Sequence, residues 1–291
     1  MKMVVTGGKG FIGSNLVEYL LSKGHEVVVV DFNKDSGYED LNALYYYNDI
    51  TKPIHNAEDI FKDARTVFHL AAEIYVQKSL EFPDLFRDVN ELGTKKILDY
   101  CVAAGVCNFI LSSTSAIYGN TSYGRGSLED DKVDCLNAYS ESKYAAELIC
   151  KEYTETYGIN VTVLRYFNVY GKRQHETGQY APVIGKFLKQ KQAGERLTVV
   201  GDGSQKRDFI NVYDVVTANY AAHKNANGFN LYNIGHGSNI SVLDLAKLIS
   251  TDITFIDPRD GECKETLADT HKAQEELAWK PTISVQDYLL Q

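Results

Sequence analysis

The chain has no apolar run long enough to cross a membrane. Stretches such as Val27 to Val30 are strand-sized, far short of the roughly 20 residues a span requires. Excess positive charge is also missing: 30 Lys and Arg against 39 Asp and Glu leave a net charge of -9. Binding to a phosphate backbone needs a basic surface to displace counterions, so nucleic acid is not an expected partner. Cysteine is sparse, with five residues at positions 101, 107, 135, 150 and 263, odd in number and without a C-x-x-C pair. That usage fits reduced thiols in a cytoplasmic protein. The seven histidines are scattered, without the spacings zinc sites use, and neither an EF-hand nor a Gly-x4-Gly-Lys-Ser/Thr loop is found, so no metal is expected. No repeat or low-complexity tract is visible. Met3-Val4-Val5 already reads as a strand, so no signal or transit peptide is expected.

What is present is a chain of 291 residues with 44% apolar content, enough for one large domain or for a nucleotide domain with a smaller cap. The first 165 residues alternate strand-like and helix-like segments, the pattern of an α/β fold with a doubly wound parallel sheet. Val4-Val5, Val27 to Val30, Thr66 to Leu70, Phe109 to Ser112 and Val161 to Arg165 read as strands. Helices are expected at about Ser14 to Lys23, Asp84 to Ala104 and Ala138 to Tyr157. The last two are long and amphipathic, so each can lend a face to a homodimer as well as cover the sheet.

After Tyr166 the alternation loosens. Gly171 to Gly178 reads as a loop, Pro182 to Gln192 as a helix opened by proline, and Leu197 to Val200 as a short strand stopped by Gly201-Asp202-Gly203. Phe209 to Ala222 and Leu231 to Ile234 look like a return to the main sheet. Ser241 to Ile249 and His271 to Trp279 look like helices flanking a strand at Ile253 to Ile256. The expected division is a Rossmann domain over 1–167 with return segments at about 208–235, and a smaller α/β C-terminal substrate-binding domain over 168–207 and 236–291. Tyr45-Tyr46-Tyr47 is a surface or edge-strand cluster without an assigned role.

Gly7, Gly10 and Gly13, with Phe11 and Ile12 between the last two, form G-x-x-G-x-x-G between a strand and a helix. The first glycine allows a tight turn, the second lets backbone approach a pyrophosphate, and the third packs helix on strand. An ordinary glycine turn is the bland alternative, but the strand-before, helix-after setting favours a bound dinucleotide. Asp31 ends the second strand, 18 residues beyond Gly13. Its carboxylate suits the ribose hydroxyls and repels a 2′-phosphate, which favours NAD over NADP; Lys34 is the residue that argues the other way. Asp49 and Ile50 are placed to meet adenine, and the small residues of Leu70-Ala71-Ala72 let a cofactor lie against backbone. Asn90 is a further candidate cofactor contact, or else a structural polar residue.

Tyr139 and Lys143 sit one helical turn apart in NAYSESKYAAE, behind Ser112-Ser113-Thr114. Spacing alone is not decisive, because Tyr19 with Lys23 and Tyr220 with Lys224 repeat it. Tyrosine, with a free pKa of about 10, is a poor base unless a nearby positive charge assists it. Lys143 supplies that charge from the same helical face and can hold the nicotinamide ribose, while Thr114 orients a substrate alcohol.

These pieces sit in a longer set of motifs. They run from Thr6-Gly7-Gly8-Lys9-Gly10-Phe11-Ile12-Gly13 through His69-Leu70-Ala71-Ala72, Ser112 to Gly119, Tyr139 and Lys143, and Arg165-Tyr166-Phe167-Asn168-Val169-Tyr170-Gly171. Gly201-Asp202-Gly203, Arg207-Asp208-Phe209-Ile210-Asn211-Val212, Arg259-Asp260-Gly261-Glu262 and Trp279-Lys280-Pro281 complete them. Together they resemble the extended short-chain dehydrogenase/reductase family, and within it the nucleotide-sugar 4-epimerases of the UDP-glucose 4-epimerase type.

That resemblance implies that Tyr139 takes the proton from a sugar hydroxyl while hydride leaves carbon 4 for NAD, giving a 4-keto sugar. The sugar then swings and receives hydride on its other face, so NAD is regenerated and stays bound. Thr114 stands where many relatives have serine, and Tyr166 falls among the cofactor contacts. Asn168, Arg207 and Arg259 would contact the nucleotide diphosphate, that of a UDP-linked sugar, and Val199 would line the base pocket. Thr266 falls where some relatives carry a bulky tyrosine, and a small residue there admits an N-acetyl group. Relatives that dehydrate or decarboxylate the sugar place acids just after the Thr114 position. This chain has Ser115 and Ala116 there, which puts the 4,6-dehydratase and decarboxylase readings behind the epimerase; Glu73 is the acid that could reverse that order. A protein that binds NAD or a nucleotide sugar without turnover is the third reading, and the intact Thr114, Tyr139 and Lys143 argue against it.

Overall fold

The computed structural model describes residues 1–34, 41–120, 124–175, 181–258 and 263–290. Its strands are, in chain order, β1 Lys2–Thr6, β2 Glu26–Asp31, β3 Leu44–Tyr47, β4 Ala64–His69, β5 Asn108–Thr114, β6 Asn160–Tyr166, β7 Asn168–Tyr170, β8 Leu197–Val200, β9 Lys206–Asn211, β10 Phe229–Ile234, β11 Asn239–Ser241 and β12 Ile253–Ile256. Seven of them form one sheet in the order β3-β2-β1-β4-β5-β6-β10, every pair parallel. The order reverses between β1 and β4, and a Rossmann sheet opens its ligand crevice at the strand ends there.

Helices cover both faces, so the strands are apolar on both sides. Met3, Val5, Val27, Val29, Phe68 and Ile110 join one cluster with Leu16, Val17 and Leu20 of the Phe11–Ser22 helix and Val215 and Val216 of the Val212–Asn225 helix. Their neighbours Val4, Val28, Val30, Val67, Phe109 and Leu111 point the other way. They meet Ile97, Leu98 and Cys101 of the Thr94–Ala103 helix and Ala146, Cys150 and Tyr153 of the Ala138–Tyr157 helix. Each fully buried Val or Leu is worth about 1.5–3 kcal/mol, and a one-residue slip would exchange the two sets. A third cluster, including Tyr170, Phe187, Leu197, Val199, Phe209 and Leu245, lies among the small sheets β11-β9-β7 and β12-β8.

The Ala138–Tyr157 helix has the span expected from its sequence. The side chain of Asn137 accepts from the Ser140 N–H at 3.0 Å while Ser140 answers the Asn137 N–H, a capping box that fixes where the helix begins. Its end is set by Gly158 at φ +71°.

Three expectations are corrected. The first helix starts at Phe11, directly on Gly10, not at Ser14. The Asp84 to Ala104 helix is interrupted: Arg87–Gly93 winds as a π-helix between Pro83–Phe86 and Thr94–Ala103. Phe209 belongs to β9, which pairs with β7 and β11 rather than with the main sheet, while the Val212–Asn225 helix that follows packs on the main sheet and β10 joins it. Tyr45-Tyr46-Tyr47 lies on β3, the sheet edge, where the Lys9 ammonium sits 5.5 and 5.6 Å from the Tyr45 and Tyr47 ring centroids. Among the described residues no helix is long and apolar enough to cross a membrane.

Candidate active site

The glycine loop is built so that side chains have no room. Gly7 has φ +70°, and a Cβ there would lie 2.7 Å from the Ala71 nitrogen. A Cβ on Gly13 would lie 2.1 Å from the Gly7 carbonyl oxygen. These approaches put the first turn of the Phe11–Ser22 helix, the end of β1 and the Leu70-Ala71 segment in one place. The helix opens at Gly10 without a side-chain cap, leaving its first N–H groups available to an anion. Phe11 and Ile12 are half-buried in that turn, and a dinucleotide pyrophosphate fits this cradle.

At the end of β2 the Asp31 carboxylate accepts from the Lys9 N–H at 2.9 Å and the Asn33 N–H at 3.0 Å. It therefore caps the loop, and a carboxylate has further lone pairs for ribose hydroxyls. Lys34, the residue that argued for NADP, holds its ammonium 5.4 Å from the Tyr47 ring centroid. Asp49 spends one oxygen on Thr51, accepting from both its N–H and its hydroxyl at 2.8 Å. Ile50 is core and leaves no room for a Cβ on Gly93.

Beyond β4, Leu70, Ala71 and Ala72 are half-buried. Their backbone is tied to β1, since Leu70 N–H donates to the Thr6 carbonyl at 3.1 Å and Ala71 N–H to the Thr6 hydroxyl at 3.3 Å. Asn90, fully buried in the π-helix, uses its whole side chain inside the protein. It accepts from the Glu73 N–H and donates to the Glu73 carbonyl and the Ser142 hydroxyl. That is the structural role left open for it, a brace between the loop after β4 and the Ala138–Tyr157 helix. The Glu73 carboxylate is bound to Lys78 at 2.9 Å and does not line the cavity described below.

Thr114 ends β5 and Tyr139 lies in the first turn of the facing helix. The Thr114 oxygen accepts from the Ala116 N–H at 3.1 Å and is hydrogen-bonded to Tyr139. That hydrogen bond acts to lower the Tyr139 pKa, as a bond that favours the phenolate does. Burial nevertheless outweighs that bond and raises the Tyr139 pKa above its ordinary value. Lys143, only 3% exposed, is pulled down to about 8 by burial, with Cys150 and Glu147 acting upward.

Thr114 and Tyr139 stand at a cavity of about 420 Å³. Ser115, Ala116, Tyr166, Asn168, Arg207 and Thr266 also line it. The Tyr166 hydroxyl is occupied by Ser112 and Asn219 at 3.0 Å, so its ring and backbone are what it offers. The Asn168 amide donates to the Asp208 carbonyl and the Thr266 hydroxyl, leaving its carbonyl oxygen for a ligand. Val199 is a correction: it is fully buried in the third cluster, while Thr198 and Val200 line the cavity. Successive strand residues face opposite ways, and the prediction was one residue out of phase. Arg259 lies outside the described residues.

Sequence reasoning missed Tyr75, Gln77, Asn137, Lys186 and Gln205, which also line the cavity. Lys186 sits in the Val183–Gln192 helix and in sequence looks like any solvated helix lysine. Lys186 and Arg207 are the charged groups among the described lining residues, and neither Asp nor Glu is among them. Such a lining suits an anionic ligand.

Fold and crevice together define a doubly wound nucleotide-binding protein with a Thr-Tyr-Lys group at the carboxyl ends of its strands. The chain belongs to the NAD dependent epimerase/dehydratase family, whose sequence model matches residues 3–235. It is similar to a putative UDP-glucose 4-epimerase of Methanocaldococcus jannaschii, at 35% identity with 98% of this chain and 95% of the relative covered. A UDP-glucuronate 4-epimerase of Thermodesulfobacterium geofontis is 34% identical, with 98% and 93% covered. The crystal structure of UDP-glucose 4-epimerase with UDP-glucose from Thermotoga maritima matches with a TM-score of 0.93 at 35% identity, covering 99% of this chain and 96% of that one. NAD is the cofactor of the family.

Proposed function

We propose that the protein is a 4-epimerase of a neutral UDP-hexose, interconverting UDP-glucose with UDP-galactose or their N-acetyl forms through a 4-keto sugar. The observation that carries this reading is the composition of the cavity. Its described lining holds two cations and no carboxylate, which suits a diphosphate and provides no acid for elimination or decarboxylation. Ser115 and Ala116 occupy the wall beside Thr114, and Glu73 is engaged with Lys78. NAD, when bound, takes up and returns hydride at sugar carbon 4. Tyr139 removes and restores the proton of the 4-hydroxyl, Thr114 orients that hydroxyl, and Lys143 holds the nicotinamide ribose. Asn168, Arg207 and Arg259 hold the diphosphate. A uronate would add a carboxylate charge at the sugar end, where Thr114, Ser115, Ala116 and Asn137 are all neutral.

The test is proton NMR of the protein with UDP-glucose, UDP-galactose and their N-acetyl forms, without added NAD, following the anomeric signals. Equilibration of a 4-epimer pair is expected; no change in any pair, even after NAD is supplied, would sink the reading. A new 4-keto-6-deoxy or decarboxylated product would put the dehydratase or decarboxylase in its place.

Two further parts of this reading concern organisation. The cofactor lobe comprises 1–167 with return segments at about 208–235, and the substrate lobe comprises 168–207 and 236–291. The protein is a cytoplasmic homodimer paired through its long helices, which leave Leu92 38% and Leu148 52% exposed, with Leu80 and Phe82 nearby in the chain. Light scattering should give twice 32.6 kDa; the monomer mass at micromolar concentration would remove that assignment.

A further inference from the structure

The buried face of the Ala138–Tyr157 helix carries Tyr139, Lys143 and Glu147 at four-residue intervals. Such residues lie one above the other on one face. Glu147 is 3% exposed and receives a bidentate pair from Arg165, with Nε to one oxygen at 3.0 Å and Nη2 to the other at 2.7 Å. The Ser113 hydroxyl donates to the same carboxylate. Arg165 is completed by the Tyr118 hydroxyl at 2.8 Å and the Glu129 carbonyl at 3.0 Å.

Ser113 and Arg165 are cross-strand partners on β5 and β6, and the next pair in register is Thr114 with Tyr166, both at the cavity. The ion pair therefore bolts the helix to the two strands that carry Thr114 and Tyr166, one turn below Lys143. Replacing such a pair by apolar groups is often neutral or stabilising, so fold stability alone does not account for it.

We propose that Glu147 is a positioning residue for the Tyr139-Lys143 pair: clamped by Arg165 and Ser113, it supplies the counter-charge that keeps Lys143 an ammonium in a dry site. The groups around Lys143 leave Glu147 as the anion. His69 on β4 is neutral, held down to about 3 by burial with the lysine acting the same way. Tyr139 and Cys150 on the same helix are both pushed up by burial and stay protonated at neutral pH. Arg165 on β6 is a cation that draws on the same carboxylate. The lysine thus competes with the arginine for one charge, and the geometry of the clamp sets the share it receives.

This inference takes Lys143 as the ribose-holding lysine of the proposed function, but its test does not need turnover. Lysine labelled with 13C at Cε reports ammonium ionisation directly, and the Lys143 signal is the one missing from Lys143→Met. In the NAD-loaded protein, Glu147→Gln should move the Lys143 titration midpoint down by about one pH unit. Should the stranded Arg165 keep that variant from folding, the double variant Glu147→Gln with Arg165→Met removes both charges and should shift the midpoint the same way by less. An unmoved or raised midpoint in a folded variant would overturn the proposal, whereas a purely structural clamp would lower the melting temperature and leave the midpoint in place. The lysine's own role is decided separately: epimerisation that survives Lys143→Met removes that role and does not touch the titration result.

Discussion

Tyr139→Phe is expected to lower kcat for 4-epimerisation by about 10²–10⁴-fold, the range for loss of a positioned acid/base, with the protein folded and NAD still bound. The ring packs edge-on against Phe86 at a centroid distance of 6.3 Å, and phenylalanine keeps that contact. What is lost is the phenol oxygen that is hydrogen-bonded to Thr114. Burial raises the Tyr139 pKa above its ordinary value, so the phenol is neutral at neutral pH. The measurement is anomeric-proton NMR for turnover, with the nucleotide released on denaturation as the check on cofactor. Turnover near the wild-type level would remove Tyr139 from the proton transfer.

Much of this site was legible because its determinants are local. A four-residue step on a helix places Tyr139 and Lys143 on one face whatever the rest of the fold does, and the glycine triplet is set by the strand and helix on either side. The parts that were not legible depend on partners distant in sequence. Phe209 looks from sequence like part of the main sheet, yet it pairs with Asn168 of β7 and the adjacent Asp208 pairs with Asn239 of β11, and nothing in the strand itself names its partners. The resemblance puts Val199 at the base pocket, but successive strand residues face opposite ways, and which of them faces inward is set by the packing of β8, where Thr198 and Val200 line the cavity. The π-helix at Arg87–Gly93 left no sign in a pattern read with an α-helical period, although it is what aims Asn90 at Glu73 and Ser142. Lys186 and Gln205 reach the cavity through tertiary packing alone.

The protein is expected to lose stability as pH falls from about 6.5 toward 3, and His69 is the residue that sets much of the loss. Its tautomer follows from its partners. The Thr94 hydroxyl donates to the Asn90 carbonyl at 2.6 Å, so it accepts from His69 Nε2–H at 3.0 Å. The Thr6 hydroxyl already accepts from Ala71 N–H and donates to His69 Nδ1 at 2.7 Å. A second proton, on Nδ1, would confront that donor inside the core, and burial accordingly lowers the His69 pKa from 6.5 to about 3. Between those values the unfolded chain binds the proton and the folded one does not, so stability is full above 6.5 and drains away on acidification. From pH 6.5 to 4 the loss attributable to this group is about 3 kcal/mol. His69→Gln removes the titration, so it should be less stable than wild type at pH 7 by a margin that shrinks by that amount at pH 4. His223, lowered to about 4 by burial with His25 acting the same way, titrates in both proteins and cancels in the difference. Urea midpoints at the two pH values measure the margin, and a margin that does not change with pH would show that His69 is not the group responsible. Because the Thr6 hydroxyl also holds the Ala71 N–H, the same proton would disturb the backbone against which NAD is proposed to lie.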